Sequence, residues 1–193
     1  MRGHQLLAIF LSLGLLTLSG WAWAATGPGS EFSANQVMIG PGGGQERGPI
    51  YCQKDRWRVE LTQQGKAMIL IYRLDKKVVW TMVPEDKVYL ERPLFPDEVP
   101  WGDKVPGESE RKLLGEEAVQ GHPALKYQVK SWNGEMVQEF HLWVSKELQV
   151  PIKTATLDGA FGTELTDINM GPQPNDLFEV PPDFRLISPP PHG

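Results

Sequence analysis

The residues that most often carry chemistry in proteins are few in this chain and widely scattered. Cys52 is the only cysteine, and three histidines follow the apolar N-terminus: His122, His141 and His192. Metal sites need several such ligands, usually with some at short spacing. No such spacing occurs here, so the sequence predicts no metal centre and no cofactor. A structural role is expected for His122, whose ring could bond a backbone group in a turn, and for His141 on a strand face.

Nucleophilic and acid–base catalysis find equally little support. Cys52 alternates with Ile50, which predicts a buried thiol, and the sequence offers it no evident activating base. There is no Gly-x-Ser-x-Gly motif of the kind that places a nucleophilic serine on a tight turn. Two acidic pairs are adjacent in sequence, Asp97–Glu98 and Glu116–Glu117. Adjacent side chains on a strand point apart, so these pairs are expected to be solvated charges, and no catalytic residue is predicted.

A glycine-rich stretch, Pro41 to Gly44, is the one segment that suggests a phosphate-binding loop. Such loops are followed by Lys-Ser or Lys-Thr and a helix, whose backbone N–H groups converge on the phosphate. Neither feature follows Gly44, so the stretch is predicted to be a flexible connection.

Aromatic residues are the strongest remaining signal for a binding site. The candidate lining of an apolar ligand site is Trp57, Trp80, Tyr89, Phe95, Trp101, Tyr127 and Phe140. All but Phe95 and Trp101 fall in segments that read as strands, where aromatic side chains commonly form the core. The same side chains would line a pocket if the sheet curls without filling its hollow. The sequence leaves both alternatives open.

Most of the chain from Gly48 to Asn169 alternates polar and apolar residues, the pattern of strands with one buried face. The clearest runs are Arg56 to Leu61, Leu125 to Val129 and Glu139 to Val144. Further strands are predicted at 67–74, 78–83, 87–91, 151–157 and 161–169.

Turn signals separate these runs. Asn133-Gly134 and Asp158-Gly159 are strong hairpin signals, because tight hairpin turns need positive φ angles. Weaker signals lie at Gln64-Gly65, Asp75 to Lys77 and Pro84 to Asp86. We therefore predict a mainly β fold of about eight or nine antiparallel strands in a strongly twisted, curved sheet.

One long interruption breaks the pattern, from Glu91 to Arg111. It contains several prolines, and it places Phe95 and Trp101 among acidic residues. Loops of this length in compact domains are often lids or binding loops, and that role is expected here. Within the region, Asp103 to Gly115 is the best place for one or two turns of helix.

The N-terminus reads as a secretory signal peptide. Arg2 precedes an apolar run from Leu6 to Leu18, and Ala22-Trp23-Ala24 is a small-x-small cleavage site. We expect cleavage after Ala24, a disordered segment at 25–31, one domain at 32–187 and a disordered proline-rich tail at 188–193. Removing Arg2 takes the formal charge from −5 to −6, which gives no electrostatic reason to bind nucleic acid or an anionic membrane.

Several short motifs occur in an order that resembles a known superfamily. They are 48–59, 79–84, 114–117, 121–123, 126–127, 151–153 and 176–184. Together they resemble the LolA/LolB-like periplasmic carriers of outer-membrane lipoproteins, and most closely the DUF4412 family. The resemblance covers roughly residues 32–187. It implies a curved antiparallel half-barrel, lidded by loops or short helices, whose concave apolar face holds acyl chains.

These observations favour a periplasmic, non-catalytic binding protein for a lipid, a lipoprotein acyl chain or another hydrophobic ligand. The alternative is an envelope interaction or sensor module with a filled core and a protein partner. An enzyme is the least favoured interpretation. No integral membrane segment is expected after cleavage, because the apolar run is shorter than the roughly 20 residues that span a bilayer.

Overall fold

A computed structural model describes residues 30–40, 44–63, 65–95, 98, 104–132 and 134–187. The predicted signal peptide, Trp101, Asn133 and the proline-rich tail lie outside the described residues. Of the segment 25–31, residues 30 and 31 are described, and the Glu31 carbonyl accepts a hydrogen bond from the Gly171 N–H. Among the described residues, no helix has the length and apolar character that crossing a bilayer requires.

Twelve strands within the described residues form one open, strongly curved sheet, which confirms the predicted mainly β fold. They are β1 (Phe32–Ile39), β2 (Gln45–Gln53), β3 (Arg56–Gln63), β4 (Lys66–Arg73), β5 (Val78–Val83), β6 (Val88–Pro93), β7 (Glu108–Val119), β8 (His122–Trp132), β9 (Val137–Ser145), β10 (Pro151–Thr156), β11 (Gly162–Met170) and β12 (Arg185–Leu186). The order across the sheet is β12-β6-β5-β4-β3-β2-β1-β11-β10-β9-β8-β7.

The sheet consists of two meanders joined at β1. The sequence had predicted a single succession of hairpins. β1 to β6 form the first meander and β7 to β11 the second. β1 pairs antiparallel with β2 on one side and with β11 on the other, so it is the seam between the two halves. β12 adds a short parallel edge to β6. The strand count exceeds the predicted eight or nine because β1, β7 and β12 carry weak alternation.

The predicted turns lie between strands, as expected from their composition. Gly65 follows β3 and Gly159 lies between β10 and β11, both with positive φ angles of 78° and 71°. Lys77 and Lys87 also take left-handed angles, at 57° and 48°, in the turns on either side of β5. A lysine tolerates this conformation at a modest cost, which explains why these two turns lack a glycine signal.

The region between β6 and β7 corrects two expectations. The predicted helical turns within 103–115 and the loop reaching Arg111 are wrong, because β7 begins at Glu108 and pairs with β8. The register shifts at two places in this pair, between Glu108 and Glu110 and between Leu113 and Gly115. Each extra residue breaks the alternation of period two that identifies a strand in a sequence.

Two buried clusters form the core. The larger takes Phe32, Ile50, Cys52 and Trp57 from the first meander and Trp143, Leu148, Ile152 and Leu165, among others, from the second. The smaller lies against the first meander alone and contains Ile71, Trp80, Met82 and Phe178. Phe178 ends a short 3-10 helix, Asn175–Phe178, within residues 173–184, which we call the C-terminal strap. The other described 3-10 helix is Pro84–Asp86, in the β5–β6 turn.

Candidate ligand-binding face

One face of the sheet is apolar across both meanders, and we call it the Trp57 face. In the first meander, Trp57 pairs with Tyr72 of β4, and Tyr72 pairs in turn with Val79 of β5. Paired residues of an antiparallel ladder point to the same side of the sheet. The rings of Trp57 and Tyr72 stack with their centroids 5.9 Å apart.

The same face continues through the seam into the second meander. Met38 of β1 pairs with Thr163, which pairs with Thr154 and through it with Leu142. Leu142 pairs with Tyr127, and Tyr127 with Leu113 of β7. Phe140 shares this side, because it pairs with Val129 and Thr156. Three of the sequence-predicted aromatic residues, Trp57, Tyr127 and Phe140, therefore lie on one face.

Burial changes along this face. Trp57, Val79 and Val129 are 0% exposed, although the strap lies on the other side of the sheet. A sheet face that stays buried without a covering layer must curve so that its own halves cover each other. We infer that the Trp57 face is the inside of the curve. Tyr127 and Phe140 are half-buried although their partners Leu142 and Val129 are fully buried, and Leu113 is 56% exposed, so the face is least covered at the β7 edge.

The electrostatics of the open end are nearly neutral. The Arg111 guanidinium lies 5.0 Å from the centre of the Tyr127 ring, a cation–π distance. Its charge is matched by Glu108, whose two carboxylate oxygens accept from Arg111 at 2.9 and 2.6 Å. The aromatic lining is therefore presented beside a satisfied ion pair.

Trp80 and Tyr89 lie on the opposite face, so the register divides the candidate set. Trp80 pairs with Ile71 and Glu91, and Tyr89 pairs with Met82. Both aromatic residues pack in the smaller cluster, beneath the strap. The Trp80 indole N–H donates to the Glu91 carboxylate at 2.7 Å. These side chains hold the strap instead of sharing a lining with Trp57.

Arg58 and Arg73 donate hydrogen bonds to the strap. Arg73 is buried, and it donates to the Phe178 carbonyl at 3.0 Å and to the Glu179 carboxylate at 2.6 Å. Its other guanidinium nitrogens donate to the Asp75 carboxylate at 2.8 and 2.6 Å. Arg58 donates to the Leu177 carbonyl at 3.1 Å. The hydrogen bond from Arg73 holds the pKa of Asp75 below its usual range, with the nearby guanidinium charge adding to it.

Of the two loop aromatics, only Phe95 belongs to the described part of the chain. Phe95 is 55% exposed, and its backbone N–H donates to the Glu98 carboxylate at 3.1 Å. The same carboxylate accepts from Arg92 at 2.5 Å, and Arg92 pairs with Val79 on the Trp57 face. The start of the loop is therefore tied to the rim of that face. Trp101 lies outside the described residues, as does Asp97.

Cys52, His122 and His141, the candidates for catalysis or metal binding, make packing or polar contacts within the fold. Cys52 is buried, and that burial raises the pKa of its thiol. The His122 ring lies 3.3 Å from the Glu147 carboxylate, where a backbone partner was expected, and His141 packs edge-on to Trp143. Within the described ranges, no group of three histidine, cysteine or acidic residues is placed to hold a metal ion.

Sequence reasoning missed Leu113, Phe161 and Met38 as parts of this face. Leu113 was hidden by the irregular strand β7, and Phe161 by its place beside a turn. Thr156 donates its N–H to the Phe161 carbonyl, which sets Phe161 beside Phe140 across β10. No local alternation marks these three residues, because Val37 and Ile39 flank Met38, Leu114 follows Leu113, and Ala160 and Gly162 flank Phe161.

Comparison with known proteins supports the fold alone. No family model matches the sequence, and no curated protein matches it. Among solved structures, an uncharacterized conserved protein from Thermus thermophilus superposes with a TM-score of 0.55 at 13% identity, over 82% of this chain and 90% of that one. This chain thus shares the overall fold of that protein.

Weaker likenesses include a LolA superfamily protein from Nitrosomonas europaea, with a TM-score of 0.37 and 12% identity over 80% of this chain and 92% of that one. LprF from Mycobacterium bovis has a TM-score of 0.42 and 11% identity over 81% of this chain and 91% of that one.

Proposed function

We propose that this chain is an exported, non-catalytic protein that binds an apolar ligand, such as a lipid or a lipoprotein acyl chain, on the Trp57 face. The observation that carries the proposal is the exposure of Leu113, with Tyr127 and Phe140 half-buried, at the β7 end of one continuous apolar face. On the same face Trp57, Val129 and Leu142 are at most 1% exposed. An apolar surface left half-open inside a curved sheet is stabilised when an acyl chain removes it from water.

The open end has the chemistry of a chain-binding site. Leu113, Tyr127 and Phe140 offer carbon surface, while the nearby Arg111 is already paired with Glu108. A charged ligand group would have to compete with that ion pair, whereas a hydrocarbon chain would not. The ligand class that best fits is therefore apolar over most of its length.

The cellular location is proposed from the sequence. A signal peptide over residues 1–24 would deliver a mature domain at 32–187 to the periplasm, with short disordered ends. Membership of the DUF4412 family, within the LolA/LolB-like superfamily, belongs to the same proposal and is supported by the motif order. In this setting the ligand's source is the cell envelope.

The segment between β6 and β7 is proposed as the lid. It leaves the sheet beside Arg92, whose bond to Glu98 ties its start to the Trp57 face, and it carries the exposed Phe95. Changing Phe95 and Trp101 together to Ala is expected to weaken ligand binding and to leave the fold intact. Unchanged affinity in that variant would remove the lid from the proposal.

The first experiment is native mass spectrometry of residues 25–193, purified from a periplasmic extract without detergent. A bound mass that leaves in organic solvent and has the mass of an acyl-chain lipid supports the proposal. Affinity is then measured with a fluorescent fatty acid. The variant Leu113→Gln should weaken binding about tenfold, because it removes an exposed apolar contact of the size of one side chain.

A matched control is Leu186→Gln on β12. Leu186 is 54% exposed, much like Leu113, but it lies at the opposite edge of the sheet. It should bind the fatty acid as tightly as the unchanged protein. Equal weakening by both changes, or by neither, would contradict a site at the β7 end.

A second candidate function is favoured by the complete burial of Trp57 and Val79. If the whole inner face closes in the same way in solution, the protein is an interaction module with a filled core and a protein partner. An apoprotein mass together with no uptake of the fatty acid would favour this function over ligand binding.

A further inference from the structure

Exposed apolar side chains concentrate at one end of the sheet. β1, β8 and β10 run in the same direction, since each is separated from the next by one antiparallel strand. The C-terminal ends of these three strands therefore lie at the same end of the sheet. Large exposed side chains at and beside these strand ends form what we call the tip cluster: Met38, Trp132, Met136, Val137, Leu157 and Phe161.

The tip cluster is far more exposed than a folded domain needs. Its members are 37–59% exposed; Met38, Trp132 and Val137 lie at strand ends, and the others lie between strands. Single exposed apolar residues are ordinary, but a group at one end of a domain marks an interaction site. Protein interfaces of standard size bury about 800 Å² on each partner in one complementary patch. Exposed side chains spread over several strand ends fit better into a surface that is soft and fluid.

The charges at this end favour an uncharged surface. Asp158 uses its carboxylate within its own turn, where it accepts from the Thr156 hydroxyl at 2.6 Å and the Ala160 N–H at 3.0 Å. Lys130 is paired with Glu110 and Glu139, at 3.0 and 3.6 Å. Glu46 and Arg47 lie opposite Met38 and Val37 and offset each other, and Glu135 lies in the β8–β9 turn. The end is therefore weakly acidic and would be repelled by anionic lipid. A zwitterionic bilayer carries no such penalty.

Phe161 and Met38 connect the tip cluster to the open part of the Trp57 face, whereas Trp132 and Val137 lie on the other side of the sheet. Phe161 lies beside Phe140 across β10, and Met38 pairs with Thr163 on the same face. We propose that the tip cluster inserts into the interfacial layer of a zwitterionic bilayer, placing the open end of the Trp57 face against the membrane. The use of this contact for ligand transfer rests on the proposed function, whereas the contact itself does not.

The side chains are suited to that layer. Trp132 combines a large apolar ring with an N–H group, the combination that is enriched at membrane–water interfaces. Phe161, Leu157 and Val137 supply the apolar contacts that such shallow binding requires. The members of the tip cluster offer several shallow insertions, whose contributions add because one sheet carries them all.

The test is flotation of mature protein, residues 25–193, with phosphatidylcholine vesicles. The double variant M136Q/L157Q changes two tips without changing charge, and both residues lie outside strands. Its partitioning should fall about tenfold or more relative to the unchanged protein, since each change removes one inserted apolar side chain. The matched control is Leu186→Gln on β12, which is 54% exposed but lies at the opposite edge of the sheet. It should partition normally.

Fatty acid binding in solution separates the two proposals. M136Q/L157Q should bind the fluorescent fatty acid normally, because neither residue lies on the open part of the Trp57 face. Loss of vesicle binding with normal fatty acid binding supports the membrane contact. Normal vesicle binding with loss of fatty acid binding would contradict it. No vesicle binding by the unchanged protein, equal binding by the double variant, or binding only to anionic vesicles that salt abolishes would each overturn it.

Discussion

Arg73 is a buried cation that lies between the strap and the turn after β4. Its guanidinium contacts the strap at Phe178 and Glu179, the turn at Asp75, and the face of the Trp80 ring at 5.3 Å. A buried cation is tolerated only when its hydrogen-bond donors are used, and here most are. The side chain therefore couples the turn after β4 to the strap.

Changing Arg73 to Ala should destabilise the fold by about 2–3 kcal/mol, because the buried Phe178 carbonyl loses its donor and the Glu179 carboxylate loses its partner. Urea unfolding of the purified domain measures the effect. Lys87→Ala is the matched control, since Lys87 pairs with Asp183 at the exposed surface at 2.8 Å. A comparable loss of stability in both variants would show that the burial of Arg73 has no special role.

Gly48 is required by a close approach between strands. A Cβ atom added there would lie 1.8 Å from the Glu60 carbonyl oxygen, which is backbone and cannot move aside cheaply. Gly48→Ala should therefore destabilise the fold by about 2 kcal/mol or more through overpacking. Gly44→Ala is the control, because a Cβ atom added at Gly44 would meet no atom within 4 Å. That change should be neutral in urea unfolding.

At the scale of elements, the strap makes stability depend on pH. Hydrogen bonding from Arg73 lowers the pKa of Asp75. At Glu179, burial acts to raise the pKa, but hydrogen bonds from Lys76 and Arg73 outweigh it, so the pKa is lowered. A lowered pKa in the folded state means that the folded state favours the ionised carboxylate. The corresponding stability is present above the ordinary carboxyl pKa of about 4 and is lost as the pH falls through the lowered values.

The free energy of unfolding should consequently fall between about pH 5 and pH 3, and urea titrations at several pH values measure this fall. In Glu179→Gln the fall should be smaller and stability at neutral pH lower, because one of the titrating partners is absent. A variant that kept the full pH dependence would show that the strap's carboxylates do not cause it.

The hairpins were predictable because their signals are local, and the faces were not because they depend on register. Gly65 and the Asp158-Gly159 pair identify their turns directly. Strand β7 escaped prediction because extra residues at Ser109 and Leu114 shift its alternation, and as an edge strand it carries many charges. Trp57 and Trp80 look equivalent in the sequence, and only pairing through Tyr72 and Ile71 places them on opposite faces.

At the scale of the molecule, the seam at β1 couples the unfolding of the two meanders. β1 forms ladders with β2 and β11, and Phe32 at its start is fully buried in the larger cluster. That cluster draws on both meanders, so neither half can lose its packing without exposing apolar surface of the other. We therefore expect one cooperative unfolding transition, as is usual for domains of this size.

Phe32→Ala tests this sharing. The change should lower the free energy of unfolding by about 3–5 kcal/mol, the usual cost of truncating a buried phenylalanine. Native-state hydrogen exchange, followed by mass spectrometry, compares β4 in the first meander with β9 in the second. Protection in both strands should fall by the same amount, because both exchange through the same global opening. A fall confined to β4, or to β9, would mean that the meanders open independently and that the seam does not couple them.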